Sequence, residues 1–154
     1  MLKQCILVGL FAGIIAVSPL EAATVSVLVM EAGQPREKSE GQYSILWENS
    51  LLDVLFESGH IVSNSPRIQV AQKPADDFPA EARRDLVSAQ EGGMEYFLVA
   101  IVDYAGAGVS LRLFNSKSPQ MIYEYQYTIK PFRNAREEHE SIKTAAGAIT
   151  AHLK

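Results

Sequence analysis

The apolar positions of this chain follow two different periods, and the switches between them mark its elements. From Ala23 to Met30 the run Ala-Thr-Val-Ser-Val-Leu-Val-Met is short and β-branched, which predicts a strand. Val25, Val27 and Val29 share one side, and Leu28 and Met30 lie on the other. A strand apolar on both sides belongs in a sheet interior. Gly33 to Gly41 reads as a solvated loop rich in charges and breakers. Between Gln42 and Ser58, Trp47, Leu51, Val54 and Leu55 recur at helical spacing. Tyr43 and Leu46 extend that stripe, while Glu48, Asn49, Asp53 and Glu57 fall largely opposite. Gly59 ends the helix, because glycine accepts a left-handed backbone without a Cβ clash. His60 to Ser63 enters a short strand. Pro66 and Pro74 then confine any regular element to a brief extended piece at Arg67 to Val70.

Ala75-Asp76-Asp77-Phe78-Pro79 reads as a helix entry, since an Asp near the cap and a Pro in the first turn suit the free amides there. Phe78, Ala82, Leu86 and Ala89 form its stripe, and Gly92-Gly93 stops it. Glu95 to Tyr104 is nearly all apolar and predicts a central strand, turned by Ala105-Gly106-Ala107-Gly108. Val109, Leu111 and Leu113 alternate with Ser110 and Arg112, the pattern of a strand with one wet face. After a turn at Asn115 to Pro119, Tyr123, Tyr125, Tyr127 and Ile129 line one side of a third strand, against Glu124, Gln126 and Thr128. Three such strands joined by short turns make a meander. Asn134 caps a last helix with Glu137 in the capping-box position, and Ile142, Ala145, Ala146, Ile149 and Leu153 give its buried stripe. The predicted order is β-α-β-α-β-β-β-α. It describes an α/β (α+β) domain with a mixed sheet of about five strands and three helices on one face.

This order and three of its landmarks resemble the periplasmic α/β domain shared by the N-terminal part of TolB, the curli-secretion protein CsgG and the lipoprotein activators of penicillin-binding proteins. The first landmark is the helix ending in glycine before a short strand, Leu51 to Val62. The second is the helix end running through Gly92-Gly93 into the apolar strand at Tyr96-Phe97-Leu98-Val99. The third is the hairpin from Val109-Ser110-Leu111-Arg112-Leu113-Phe114 to Met121-Ile122-Tyr123-Glu124-Tyr125, followed by a C-terminal helix. The chain lacks a lipid-accepting cysteine after the apolar leader, propeller repeats and barrel hairpins. The resemblance implies a periplasmic binding or assembly module; it carries over no functional residue.

The N-terminus supplies an address. Lys3 precedes an uninterrupted apolar or glycine-containing stretch from Cys5 to Val17, broken by Ser18 and Pro19, with small residues at Ala22 and Ala23. These are the three parts of a secretory signal. The apolar stretch is shorter than the roughly 20 residues that span a bilayer as a helix. We therefore expect residues 1–23 to be a signal peptide cleaved after Ala22 or Ala23, and 24–154 to be a single domain, exported to the periplasm. A retained anchor or a buried helix is the alternative, and membrane association follows only from retention. Cys5 precedes the apolar stretch, so it is not a lipid acceptor. With the signal removed, no thiol remains for a disulfide, a metal site or a nucleophile.

Composition narrows the classes further. The 154 residues suffice for one domain, and 47% hydrophobic with 21% charged residues is a globular balance. A net charge of −4 shows no basic excess of the kind that neutralises phosphates, which argues against nucleic acid as a partner. Among the histidines, His60 follows a helix-ending glycine, where a cation interacts favourably with the helix dipole. His139 lies in Glu137-Glu138-His139-Glu140, whose adjacent positions point in different directions on a helix and do not converge on a metal. His152 completes no metal or catalytic spacing. No His-Glu-x-x-His and no Gly-x-Ser-x-Gly elbow occurs. Asp76-Asp77 and Glu137-Glu138 fall at predicted helix starts, where negative charge is locally favoured. Gly106-Ala107-Gly108 is a hairpin turn without the spacing or lysine of a phosphate loop.

The row Tyr123, Tyr125 and Tyr127 stands out. It is either a packed face under a helix or an aromatic surface for a protein, peptidoglycan or glycan partner. Burial distinguishes the two. With no cofactor and no metal implied, the sequence points to a non-enzymatic envelope module that docks to a protein partner. An exported hydrolase with carboxylates that converge on folding, or a small-ligand binder, remains the alternative.

Overall fold

A computed structural model describes residues 22–35, 42–130 and 134–153. The expected signal peptide therefore lies outside the described residues except for Ala22 and Ala23, and the core of the polar loop, 36–41, does as well. Strand β1 (Thr24–Ala32) leads into helix α1 (Tyr43–Glu57), followed by β2 (Ile61–Asn64) and β3 (Ile68–Val70). A 3-10 turn at Ala80–Ala82 opens α2 (Arg83–Glu91). Then come β4 (Tyr96–Asp103), β5 (Gly108–Asn115), β6 (Met121–Thr128) and α3 (Ala135–Thr150). The brief extended piece after Pro66 is thus a sixth strand, added to the five expected.

The strands form one mixed sheet in the order β2-β1-β4-β5-β6, with β3 also paired to β1. β2 and β3 share the outer edge of β1, against its first and last residues respectively, and both run parallel to it. β1 and β4 are parallel from Val25↔Tyr96 to Ala32↔Asp103, and β4-β5-β6 is the antiparallel meander. β1 and β4 occupy the interior as their two-sided apolar pattern requires.

The expectation that the helices cover one face is corrected. Trp47, Leu51 and Leu55 of α1 and Ile142, Ala145, Ala146 and Ile149 of α3 pack on Val25, Val27, Leu98, Ala100 and Leu111. Leu86 and Ala89 of α2, with Ala82, pack instead on Leu28, Met30, Phe97, Val99 and Ile101. Topology explains the split. The chain leaves β1 toward one side to reach β2, then crosses back past β1 to reach β4. Since parallel crossovers are right-handed, opposite directions of travel put their helices on opposite faces.

Local signals ended the helices largely as read. Gly59 takes φ +85, and the His60 amide donates to the Leu55 carbonyl at 3.1 Å, closing the end of α1. Asn134 Oδ1 accepts the Glu137 amide at 2.9 Å, capping α3. The entry to α2 differs. Neither Asp76 nor Asp77 caps it, because the helical turn begins only at Ala80, after Pro79. The β4-β5 turn is organised by Asp103, whose Oδ1 accepts the amides of Ala105 and Gly106 at 3.1 and 3.0 Å. A Cβ on Gly106 would press on Asp103 Oδ2, so a larger residue there would have to displace the carboxylate that organises the turn. No helix among the described residues is long and apolar enough to cross a membrane.

Candidate functional site

β6 ends the sheet, and among the described residues no strand pairs with its outer edge. Its side chains alternate between half-buried and exposed positions along the whole strand. Tyr123, Tyr125 and Tyr127 all point to the side of α1 and α3 and pack against the core there. The Tyr127 and Trp47 rings meet in a T-shaped arrangement with centroids 5.1 Å apart, which sets the positive edge of one ring toward the negative face of the other. Its hydroxyl meets Ser141 Oγ at 3.0 Å. The Tyr123 ring stacks on His152 at 3.7 Å. Tyr125 lies between these two anchored rings.

Beside the row runs an open groove of about 410 Å³, floored by Tyr125 and Tyr127 and walled by Ser141, Thr144 and Ala145 of α3, with Lys130 at the rim. No carboxylate lines it. The three tyrosines are thus neither fully sequestered nor free. They hold β6 under α3 and leave ring surface along the groove. Ser141, Thr144 and Lys130 escaped the sequence reading, because nothing in their spacing tells which flank of α3 overhangs the sheet edge.

The opposite side of β6 carries a polar network. Arg112 Nε donates to Glu124 Oε1 at 2.9 Å, and Ser110 Oγ donates to the same oxygen at 2.9 Å. Gln126 Nε2 reaches it at 2.7 Å. Burial pushes the Glu124 carboxyl up, but these donors, Arg112 foremost, outweigh it and hold the group below the usual carboxylate range. Arg112 also donates to the carbonyls of Asp76 and Asp77 at 2.7 and 3.2 Å. The wet face read for β5 is corrected here: Ser110 and Arg112 are 1% and 7% exposed. The segment before α2 folds over them, and Arg112 satisfies its otherwise unpaired carbonyls.

The histidines serve packing. His60 is buried, and its Nδ1 accepts the Ala23 amide at 3.3 Å, which ties the start of β1 to the end of α1. His139 is half-buried on α3, and His152 lies under Tyr123. Among the described residues no group of three or more His, Cys, Asp or Glu could hold a metal. A second polar cluster, at the end of β1, joins Ser44 to Glu31 and Arg67, with the Tyr104 hydroxyl buried against Ser44 and Glu31.

The architecture is a mixed sheet between two helices on one face and one on the other, ending in an antiparallel edge strand. No protein-family model and no curated protein sequence matches the chain. Among solved structures it is similar to the PelC dodecamer from Paraburkholderia phytofirmans, with a TM-score of 0.50 and 14% identity over 86% of this chain and 89% of that one. It is also similar to the LpoB C-terminal domain from Escherichia coli, with a TM-score of 0.43 and 11% identity over 76% of this chain and 90% of that one. TolB from Acinetobacter baumannii, a protein whose likeness the sequence suggested, has a TM-score of 0.38 and 13% identity over 87% of this chain and 31% of that one. These likenesses are likenesses of fold.

Proposed function

We propose that this chain is an exported, non-enzymatic binding or assembly module of the bacterial cell envelope, docking a protein partner through β6 and the overhanging flank of α3. One observation carries the reading: an edge strand of eight residues, unpaired on its outer side among the described residues, bears three half-buried tyrosines beside a groove of about 410 Å³. Backbone amides at such an edge supply general affinity, and aromatic pockets beside it supply selection. Export rests on the N-terminal pattern. The burial of Ala23 favours scission after Ala22, which keeps Ala23 in the folded unit with its nitrogen, then the amino terminus, beside His60 Nδ1. PelC, with the same fold, is a dodecamer, which supports an assembly role for this architecture.

The test is crosslinking in intact native cells followed by recovery of the processed chain. Wild type is expected to bring down an envelope protein or a second copy of itself, and Tyr125→Lys to lose that product while keeping its fold. A Tyr125→Lys chain that retains every crosslink of wild type would move the docking surface elsewhere.

A further inference from the structure

The two edges of the sheet are built differently. On the β1 side the edge is divided between β2, of four residues, and β3, of three, with Pro66 between them. Short strands broken by a proline offer little to an incoming strand. β6 runs eight residues with neither proline nor lysine, and its single charge, Glu124, is drawn across to Arg112. Natural edges are rarely left so unprotected unless something covers them.

The direction of its backbone groups can be read. Ile129 N donates to Ala107 O of the β5 side at 2.9 Å. By alternation in an antiparallel pair, Tyr127 and Tyr125 also turn their amides toward β5, and Thr128, Gln126 and Glu124 turn theirs to the open edge. The side chains around Tyr125 are close to palindromic: Tyr123 mirrors Tyr127, and Glu124 mirrors Gln126.

Resting on the reading of β6 as a docking surface, we propose that its occupant is a second copy of this chain, with the two β6 strands antiparallel about a dyad at Tyr125. Glu124 and Gln126 of one copy then exchange backbone hydrogen bonds with Gln126 and Glu124 of the other. On the α3 side, Tyr123 faces Tyr127, Tyr125 faces Tyr125, and Tyr127 faces Tyr123. Three aromatic cross-strand pairs form, and no charge faces its like. A dyad at Glu124 would set two carboxylates opposite each other. A dyad at Gln126 would place Tyr123 against Ile129 and keep only two aromatic pairs. The groove beside Tyr125 gives the partner's rings room under α3. Such a contact is isologous and closes at two copies.

The test uses the natively processed chain in a Cys5→Ser background, so that only introduced thiols react. Tyr125→Cys is expected to form a disulfide-linked dimer on mild oxidation, since facing positions of this non-hydrogen-bonded type bring their Cα atoms within disulfide range. Tyr123→Cys alone is expected to stay monomeric, whereas a mixture of Tyr123→Cys and Tyr127→Cys chains links. Gln126→Pro removes an amide that β5 does not use, together with the side-chain bonds to Ser110 and Glu124. It is expected to weaken the dimer about 30-fold or more in sedimentation equilibrium, with a lowered but still cooperative thermal transition. Gln126→Ala, which loses the same side-chain bonds and keeps the amide, is expected to dimerise. A monomeric wild type, or Tyr123→Cys linking to itself as readily as Tyr125→Cys, overturns the proposal. If wild type is monomeric but still captures an envelope protein that Tyr125→Lys loses, the docking reading stands and only the occupant is wrong. If Tyr125→Lys changes no capture either, both fail.

Discussion

Tyr127 and Trp47 meet edge to face, 5.1 Å apart, and the Tyr127 hydroxyl bonds Ser141. One side chain of the edge strand thus ties together both helices on its face of the sheet. That connection sets the position of α3 over β6, and with it the shape of the groove.

Removing only the hydroxyl, in Tyr127→Phe, is expected to cost about 1 kcal/mol, the net value of one hydrogen bond. Tyr127→Ala also forfeits the packing on Trp47 and is expected to cost about 3 kcal/mol, the lower end for a large aromatic because the ring is only half-buried. Urea unfolding of the two variants beside wild type measures both.

Glu124 makes stability depend on acid. Its folded carboxyl titrates below the ordinary value because Arg112, Ser110 and Gln126 donate to it against the opposing effect of burial. A lowered folded value gives stability that is present above the unfolded value of about 4.3 and is lost as pH falls through the folded one. Glu124→Gln is expected to be less stable than wild type at neutral pH and to converge with it under acid, as thermal melts across that range would show.

Tyr104 gives the opposite limb. Burial raises its phenol, and the Glu31 carboxylate adds to the effect. Its contribution is present below the ordinary value of about 10 and is lost as pH rises through the folded one. Its buried hydroxyl lies against Ser44 and Glu31 without a well-formed hydrogen bond to either. Tyr104→Phe is therefore expected to be neutral or stabilised by up to about 1 kcal/mol at pH 7, and to lose less stability in alkali.

The start of α3 depends on Asn134, which accepts the Glu137 amide. Asn134→Ala is expected to cost about 1 kcal/mol and to speed amide exchange in the first turn of α3, with little change in β4.

Much of this was legible because it is local. The spacing of Trp47, Leu51 and Leu55 made α1 visible, Gly59 marked its end by a conformation only glycine takes cheaply, and Asn134 with Glu137 marked the start of α3. The apolar run from Tyr96 to Val102 announced a central strand, since only a strand covered on both faces repays such a sequence. What misled was the step from pattern to exposure. Ser110 and Arg112 alternate with Val109 and Leu111 as solvent-facing residues do, yet the loop of Asp76 and Asp77 covers them.

The sequence by itself determined the elements, their order and the tyrosine row on one side of β6, because periodicity and caps depend on neighbours within a few residues. Only the tertiary structure decided that α2 takes the opposite face from α1 and α3, that Arg112 is buried on Glu124, and that α3 leaves a groove beside Tyr125. Those outcomes depend on the handedness of crossovers and on packing between segments far apart in the chain, which no local pattern encodes.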